Sequence, residues 1–491
     1  MGWGKIAGEF VLTGGIGVLY DAYQHSGPDG PAGYKKPQPE GFEFPQASIG
    51  APAPYIYGTI RVDSPVLLWH GNPDSAAGND GFEYQITLLL TPGVPFYDKY
   101  NDPANPGSQL APFYDWRALR PPRWKAVWWG DLYIPFAFPG MVHGEARLIG
   151  HNLGNDGALL AQGEFWDGRR DQVITAYPNG PSNTIDERLA AAGVDRSLVP
   201  GYRHKMLCVI AASGSYGSIG TSPHIPGIGL EIAAVGPEPI NGLDANPAWV
   251  IFDLICSPVW KIGYDQTRVD VPSFQAAATT LLNEQNGISL AIYQSEDAAR
   301  IIGGILAQID GVLFEDPATG LIVLKLIRRD YDANLIPVMT VDNTVDAEVT
   351  VHGWRETSNA VRVTFNDRSR SYQKNWAMSH RLANSSGLIP RLRAHEVEYT
   401  GCTTQALAET LVARDLAVVA RPYATANVKL NREFFAILPG DALKANWPWC
   451  GIVNKVFRVV DVDYGQLADG TITVALIEDV FGATLGAFPT P

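Results

Sequence analysis

The chain has 491 residues, with 37 Lys and Arg against 51 Asp and Glu, so its formal charge is −14 at neutral pH. A surface that acidic repels phosphate backbones and argues against sequence-reading or groove-tracking nucleic-acid binding. Hydrophobic residues make up 46% and charged ones 18%, which excludes a disordered chain. The length calls for about two to four domains, each with its own core. The 50 Gly, 36 Pro, 13 Trp and 20 Tyr favour strands, turns and long ordered loops over helical bundles.

In chain order, Lys5 precedes an apolar stretch that Glu9 interrupts, with no clear small-residue cleavage site after it. This reads as an apolar arm over residues 3–23 that packs on a neighbour, not as a signal peptide. No stretch reaches about 18 consecutive apolar residues, so no membrane span is expected. Residues 25–54 are rich in Pro and Gly and behave as an extended lead. Tyr55-Ile-Tyr-Gly-Thr-Ile-Arg-Val62, Val66-Leu-Leu-Trp-His70 and Phe82-Glu-Tyr-Gln-Ile-Thr-Leu88 then alternate as strands do.

Loop chemistry returns at residues 98–123, before the Trp-rich run Trp124-Lys-Ala-Val-Trp-Trp-Gly130. Residues 178–201 form a second irregular stretch, in which Asn183 or Thr184 can cap a short helix through Ala192. Strands resume at His204-Lys-Met-Leu-Cys-Val-Ile-Ala211 and Ile228-Gly-Leu-Glu-Ile-Ala233. Residues 51–245 therefore read as one β-rich domain with insertions at about 98–135 and 178–203, after an arm and linker over 1–50.

The style changes at Asn246-Pro-Ala-Trp-Val-Ile-Phe-Asp-Leu-Ile255. One helix is predicted over 273–286. A second begins at the Ser295 cap, places Ile302, Ile305, Leu306 and Ile309 on one face, and stops at Gly311. Asp316-Pro-Ala-Thr-Gly320 between two apolar runs marks a hairpin. Residues 246–335 make an α/β domain. The last domain spans 336–491. In it Val361, Val363 and Phe365 alternate with polar neighbours. A helix after Thr404 carries the stripe Ala408, Val412, Leu416 and Val419, and Pro439-Gly-Asp441 turns into the final strands. The fold class is α+β and β-rich, with several domains.

Chemistry is harder to find. Cys208, Cys256, Cys402 and Cys450 form no close pair, so a zinc site is not expected. Gly14-Gly-Ile-Gly17 lacks the spacing and downstream acid of a dinucleotide loop. Ser213-Gly-Ser-Tyr-Gly-Ser-Ile-Gly220 lacks the glycine offsets of a nucleophile elbow. His395-Glu-Val-Glu398 lacks the second histidine of a zinc peptidase, and scattered histidines such as His204 and His352 read as structural. No catalytic, cofactor-binding or metal-ligating residue is singled out. One aromatic cluster stands apart: Trp124, Trp128, Trp129 and Tyr133. Near acids such as Asp131 it can bind sugar rings, the basis of an alternative reading as a carbohydrate-binding or polysaccharide-degrading protein. As a partner-contact surface it fits the enrichment of Trp and Tyr at protein interfaces, and that reading is preferred.

Several segments in order resemble the hub portion of the tip-attachment (host-specificity) proteins of siphophage tails and the related baseplate hubs of contractile tails. They are Ile49-Gly-Ala-Pro-Ala-Pro-Tyr-Ile-Tyr-Gly-Thr-Ile-Arg-Val62, Tyr202-Arg-His-Lys-Met206, Ser222-Pro-His-Ile-Pro226, Leu230-Glu-Ile232, and Asn246-Pro-Ala-Trp249 with Asp253-Leu-Ile255 and Gly263. Asp270-Val-Pro-Ser-Phe-Gln-Ala-Ala277, Asn359-Ala-Val-Arg-Val-Thr-Phe-Asn-Asp367 and Leu438-Pro-Gly-Asp441 complete the set. The resemblance implies two tube-like β-barrels with inserted and intervening α/β domains, in a homotrimer whose ring joins a distal tail or tail-tube protein above to a fibre or spike below. It implies a place at the distal end of a virion tail, manufacture in the host bacterial cytoplasm, and a channel for phage DNA without specific binding. Lambdoid relatives continue into fibronectin-like and receptor-binding domains; this chain ends instead at Phe481-Gly-Ala-Thr-Leu-Gly-Ala-Phe-Pro-Thr-Pro491. A phage-derived particle, such as a gene transfer agent or a contractile injection device, is a further alternative.

Overall fold

The computed structural model describes residues 54–63, 65–78, 81–91, 123–129, 132–135, 145–149, 160–166, 190, 207–210, 217–218, 228–256, 262–293, 298–381, 392–466 and 470–479. The N-terminal arm, the 183–192 helix apart from residue 190, and Gly14 to Gly17 lie outside them. The described residues divide into two compact units, one from within 33–246 with 288–296 and one from within 247–287 and 297–491. Both are rich in strands, and few helices are described.

The first unit holds β1 (Pro54–Val62), β2 (Val66–Gly78), β3 (Gly81–Thr91), β4 (Arg123–Trp129), β5 (Leu132–Pro135), β6 (Glu145–Ile149), β7 (Leu160–Trp166), β8 (Leu207–Ile210), β9 (Gly217–Ser218), β10 (Ile228–Ala234) and β11 (Leu290–Tyr293). One sheet runs β11-β1-β10-β4-β5, and the other β2-β3-β8-β7-β6 with β9 bridging β3 and β7. The Trp-rich run, expected within an insertion, is strand β4 and pairs antiparallel with β10, with a register shift at Glu231/Ile232. Gly58 sits at φ 76 inside β1, a conformation that β-branched or bulky residues resist. There the backbone passes Ser289, whose hydroxyl accepts from the Thr59 N–H at 2.9 Å and donates to Asp244 at 2.6 Å.

The second unit opens with α1 (Pro247–Cys256), apolar on nearly every side and buried, the pattern of an enclosed helix. α2 (Val271–Asn283) follows, with Pro in its first turn, where no N–H partner is lost. Phe252 meets Trp249 and Phe274 edge-on at 5.9 and 5.6 Å. α3 (Ala298–Ile309) buries Ile302, Ile305, Leu306 and Ile309, the face its spacing predicts. Gly311 does not end it. Asp310, at φ 55, makes the left-handed turn, and Gly311 already begins β12 (Gly311–Glu315), paired antiparallel with β13 (Ile322–Leu326). Asp can occupy that region because its short side chain tolerates it.

Beyond β13 come β14 (Val338–Met339), β15 (Thr344–Val351), β16 (Ala360–Asp367), β17 (Gln373–His380), β18 (Ala394–Glu398), α4 (Gln405–Val419), β19 (Ala424–Asn431), β20 (Ala442–Trp447), β21 (Ile452–Asp463) and β22 (Thr471–Glu478). Thr404 caps α4 by accepting from the Leu407 N–H at 3.4 Å. The predicted stripe of Ala408, Val412, Leu416 and Val419 packs on Val361, Val363 and Phe365 of β16. The order of the larger sheet is β14-β20-β21-β22-β19-β15. Its two outermost strands are joined directly, from Met339 to Thr344, a link of at most about 19 Å. Outer strands of a flat six-stranded sheet lie about 24 Å apart, so this sheet curls into a half-barrel. Inside the curl Leu443, Trp447, Phe457, Val459 and Val474 are fully buried. Asn343 pins the link: its side chain accepts from the Thr340 N–H at 2.6 Å and donates to the Val338 carbonyl at 3.0 Å.

Candidate functional site

In the first unit, β4, β5 and β10 bring the aromatic cluster together by register. Trp128 lies opposite Tyr133 on β5 and opposite Gly229 on β10. The two rings are 4.7 Å apart and tilted by 48°. The Arg61 guanidinium stands 4.5 Å from the Trp128 ring centre, a cation–π contact. The indole N–H of Trp128 donates to Glu231 at 3.3 Å. Burial, and after it the Glu231 carboxylate, raises the Tyr133 hydroxyl above its usual range. Gly229 makes the stack fit, since a Cβ there would lie 2.6 Å from the Arg61 Nε.

Trp124 is 5% exposed and belongs to the core, whereas Tyr133 is 42% exposed. Trp128 is half-buried between them, and the side chain of Trp129 lies outside the described residues. The outward surface is thus a Tyr133–Trp128 ledge backed by a cation and a buried carboxylate. Such a ledge can hold a flat or apolar partner group; Glu231, 5% exposed and bonded to the indole, is placed to orient that indole.

The second unit contains an ionic junction that the sequence reading did not single out. Arg414 on α4 donates to the Gln308 and Ala307 carbonyls at 2.6 and 3.2 Å. Arg328 donates to the Ile309 carbonyl at 3.0 Å. Two cations thereby satisfy the C-terminal carbonyls of α3, where the helix dipole favours them. Asp415 accepts from the Tyr399 hydroxyl at 2.8 Å and pairs with Arg414. Burial disfavours the Arg414 charge, but Asp415, Tyr399 and Asp310 outweigh it and hold the guanidinium protonated. A legible signal existed: Asp415 falls on the same helical face as Ala408, Val412 and Val419, a charge on an apolar stripe.

A second cluster surrounds Arg458 on β21, whose side chain is 3% exposed. It donates to Asp479 at 3.3 Å, to the Gly440 carbonyl at 2.8 Å, to Asp330 at 3.0 Å and to the Arg328 carbonyl. Tyr331 donates to Asp479 at 2.5 Å. Arg458 and Tyr331 line a cleft of about 710 Å³ together with Phe434, Ile437 and Leu443. Every one of these charges is engaged in holding strands and helix ends together, which is the work of a rigid junction.

Of the remaining candidates, His204 and the side chain of Cys208 lie outside the described residues. His352 is buried, contacts Glu356 at 2.7 Å and lies 4.6 Å from the Tyr423 ring. Among the described residues Cys256, Cys402 and Cys450 form no disulfide. Burial, then Asp253 and Asp265, pushes the Cys256 thiol up to about 12, so it stays protonated and weakly nucleophilic. His395 lies in β18. Of the Ser/Gly loop, only Gly217 and Ser218 are described, as β9. Among the described residues no group of three or more His, Cys, Asp or Glu could hold a metal ion, and no helix is long and apolar enough to cross a membrane.

The sequence profile of the family Phage-tail_3, described as "Putative phage tail protein", matches residues 297–462. That span holds α3, α4, the ionic junction and most of the curled sheet. The whole chain also resembles a chain in the structure titled "Virion of native gene transfer agent (GTA) particle". The identity is 13%, the TM-score is 0.57, and the alignment covers 96% of this chain and 93% of that one. The two share a fold. Lower scores come from the 43 kDa tail protein of prophage MuSo2 of Shewanella oneidensis (12% identity, 73% and 98% coverage, TM-score 0.30) and a tail protein of Neisseria meningitidis MC58 (12%, 73% and 97%, 0.32). Those two values fall below what a shared fold requires. No curated protein matches the chain.

Proposed function

We propose that this chain is a structural virion protein that forms the trimeric hub of a tail tip or baseplate. The hub would join the tail tube, through a distal tail protein, to a central fibre or spike and would line the DNA exit channel. The observation that carries the reading is the likeness of nearly the whole chain to a virion chain of a gene transfer agent particle. The tail-protein family match over residues 297–462 supports it. In this reading the half-barrel sheet of the second unit and the β11-β1-β10-β4-β5 sheet of the first are the two tube-like walls. Three copies then offer six walls to a hexameric tube, and ring closure covers edges that a lone copy exposes. The Tyr133–Trp128 ledge is the contact for a fibre or spike, and the charge of −14 lets DNA pass without being held. The role is non-catalytic.

Negative-stain electron microscopy of the purified protein tests the proposal. Three-lobed averages with a central opening are expected. Isolated single copies that remain single when the distal tail protein is added would overturn it.

The gene transfer agent likeness also favours a second reading, a hub in a phage-derived particle in place of an infectious phage. The genes flanking the coding sequence separate the two: replication and lysis genes beside the tail genes mark a phage.

A further inference from the structure

Two free strand edges in the second unit are opposite in charge and equal in length. β15 and β17 are each eight residues long. Among the described strands β15 pairs only with β19, and β17 only with β16. Over residues 341–351 the charged residues are Asp342, Asp346 and Glu348, all acidic, and Val345 and Val351 are exposed at 58% and 66%. Over residues 368–381 they are Arg368, Arg370, Lys374 and Arg381, joined by His380 and with no acid, and Trp376 is 55% exposed. The curl brings β20 to the start of β15, where Trp447 meets Thr344 at 3.2 Å; beyond that point Val345, Asp346, Glu348, Thr350 and Val351 are exposed.

An exposed edge with unpaired backbone groups is a template for another strand. Like charges oppose pairing of β15 with β15, or of β17 with β17, while opposite charges favour β15 with β17. We propose that β15 of one copy pairs with β17 of a second copy, a head-to-tail contact that repeats from copy to copy. Such a heterologous interface closes into a ring when the rotation allows, and otherwise extends as a filament. The proposal rests on the hub reading for ring closure and copy number, but not for the contact itself.

The test is the mass of the full chain across micromolar concentrations by sedimentation or mass photometry, for three exposed-residue variants. D346K/E348K reverses the charges carried by β15 itself, K374E/R381E reverses those of β17 and the residue after it, and the fourfold variant reverses both sets. Wild type is expected to associate, and each single-edge variant to weaken association at least tenfold. The fourfold variant should recover it, and the two single-edge variants should associate with each other when mixed. Circular dichroism shows that each variant is folded; Glu398, the 2.8 Å partner of Lys374, is itself exposed. Association that ignores both reversals would overturn this contact while leaving a ring intact. A wild type that stays single at every concentration would overturn it too, and the imaging with the distal tail protein would then decide the hub reading separately. Association only with an added tail protein, indifferent to both reversals, would give the edges to another partner and sink the proposal.

Discussion

The indole N–H of Trp447, on β20, donates to the hydroxyl of Thr344, on β15, at 3.2 Å. In the sheet order those strands stand four places apart, with β20 second from one edge and β15 at the other. The bond therefore spans the interior of the curl and fixes its closure.

Removing that bond should be measurable. Trp447→Phe and Thr344→Val are each expected to cost about 1 kcal/mol, and the double variant less than their sum, because both act on one hydrogen bond. Trp447→Ala, which also empties a fully buried site, should cost about 3–5 kcal/mol. Urea unfolding of the four proteins checks these values.

Arg458 answers a different question. Arg458→Met leaves the buried carboxylate of Asp479, 2% exposed, without its cation, and should cost about 3–5 kcal/mol. Replacing both as R458M/D479L should recover part of that loss, since the buried carboxylate goes with its cation, but not all of it, because Asp330, the Gly440 carbonyl and the Tyr331 hydroxyl also lose a partner. Thermal unfolding with and without the second change gives the comparison.

Two carboxyls should answer pH in opposite senses. Burial raises that of Asp310 against the pull of Arg414 and Arg328. Its contribution is complete below the ordinary range, about pH 4, and is lost as pH rises through its folded value. Asp310→Asn should therefore unfold later than wild type at pH 7, with the advantage gone below about pH 4. Asp367 is the reverse. Burial pushes its carboxyl up, but hydrogen bonds from Ser369 and Asn375 outweigh burial and leave it low. Its contribution is present above about pH 4 and lost as pH falls through the lowered value. Asp367→Asn should weaken the protein at pH 7 and match wild type in acid. Denaturant midpoints at several pH values test both signs.

Gly58→Ala should be among the most damaging small changes in the first unit. A Cβ there would meet the Ser289 hydroxyl and lie 2.5 Å from the Ile288 carbonyl, at a φ of 76. Strain and overpacking together should exceed about 2 kcal/mol. Faster hydrogen exchange in β1 and β11 than in wild type is the expected signature.

Local pattern reached much of this fold and little of its junctions. The apolar spacing of Ile302, Ile305, Leu306 and Ile309 and the capping Thr404 are local facts, so α3 and α4 were readable from residues alone. The stop at Asp310 was not, because a left-handed aspartate gives no signal as strong as a glycine. The Pro-rich approach to the Trp-rich run suggests an insertion, although the pairing of the run is set by β10, about a hundred residues away. The same limit hid the junction. That Arg414 caps α3, over a separation of more than a hundred residues, is a consequence of packing that no window of sequence contains. Trp128 and Tyr133 were found because a two-residue hairpin link keeps them close in sequence; Arg61 and Glu231 in the same stack were not.

Strand β11 pairs with β1 through Pro54 to Tyr57, yet it is made only after α1 and α2. During synthesis the first unit must therefore wait, with one sheet edge open, until residue 293 has left the ribosome, by which time part of the second unit has already emerged. Neither unit can be completed from a contiguous stretch of nascent chain. Cutting the gene at residue 246 would release a first unit without its last strand, so the two halves are expected to be recovered well only when translated as one chain.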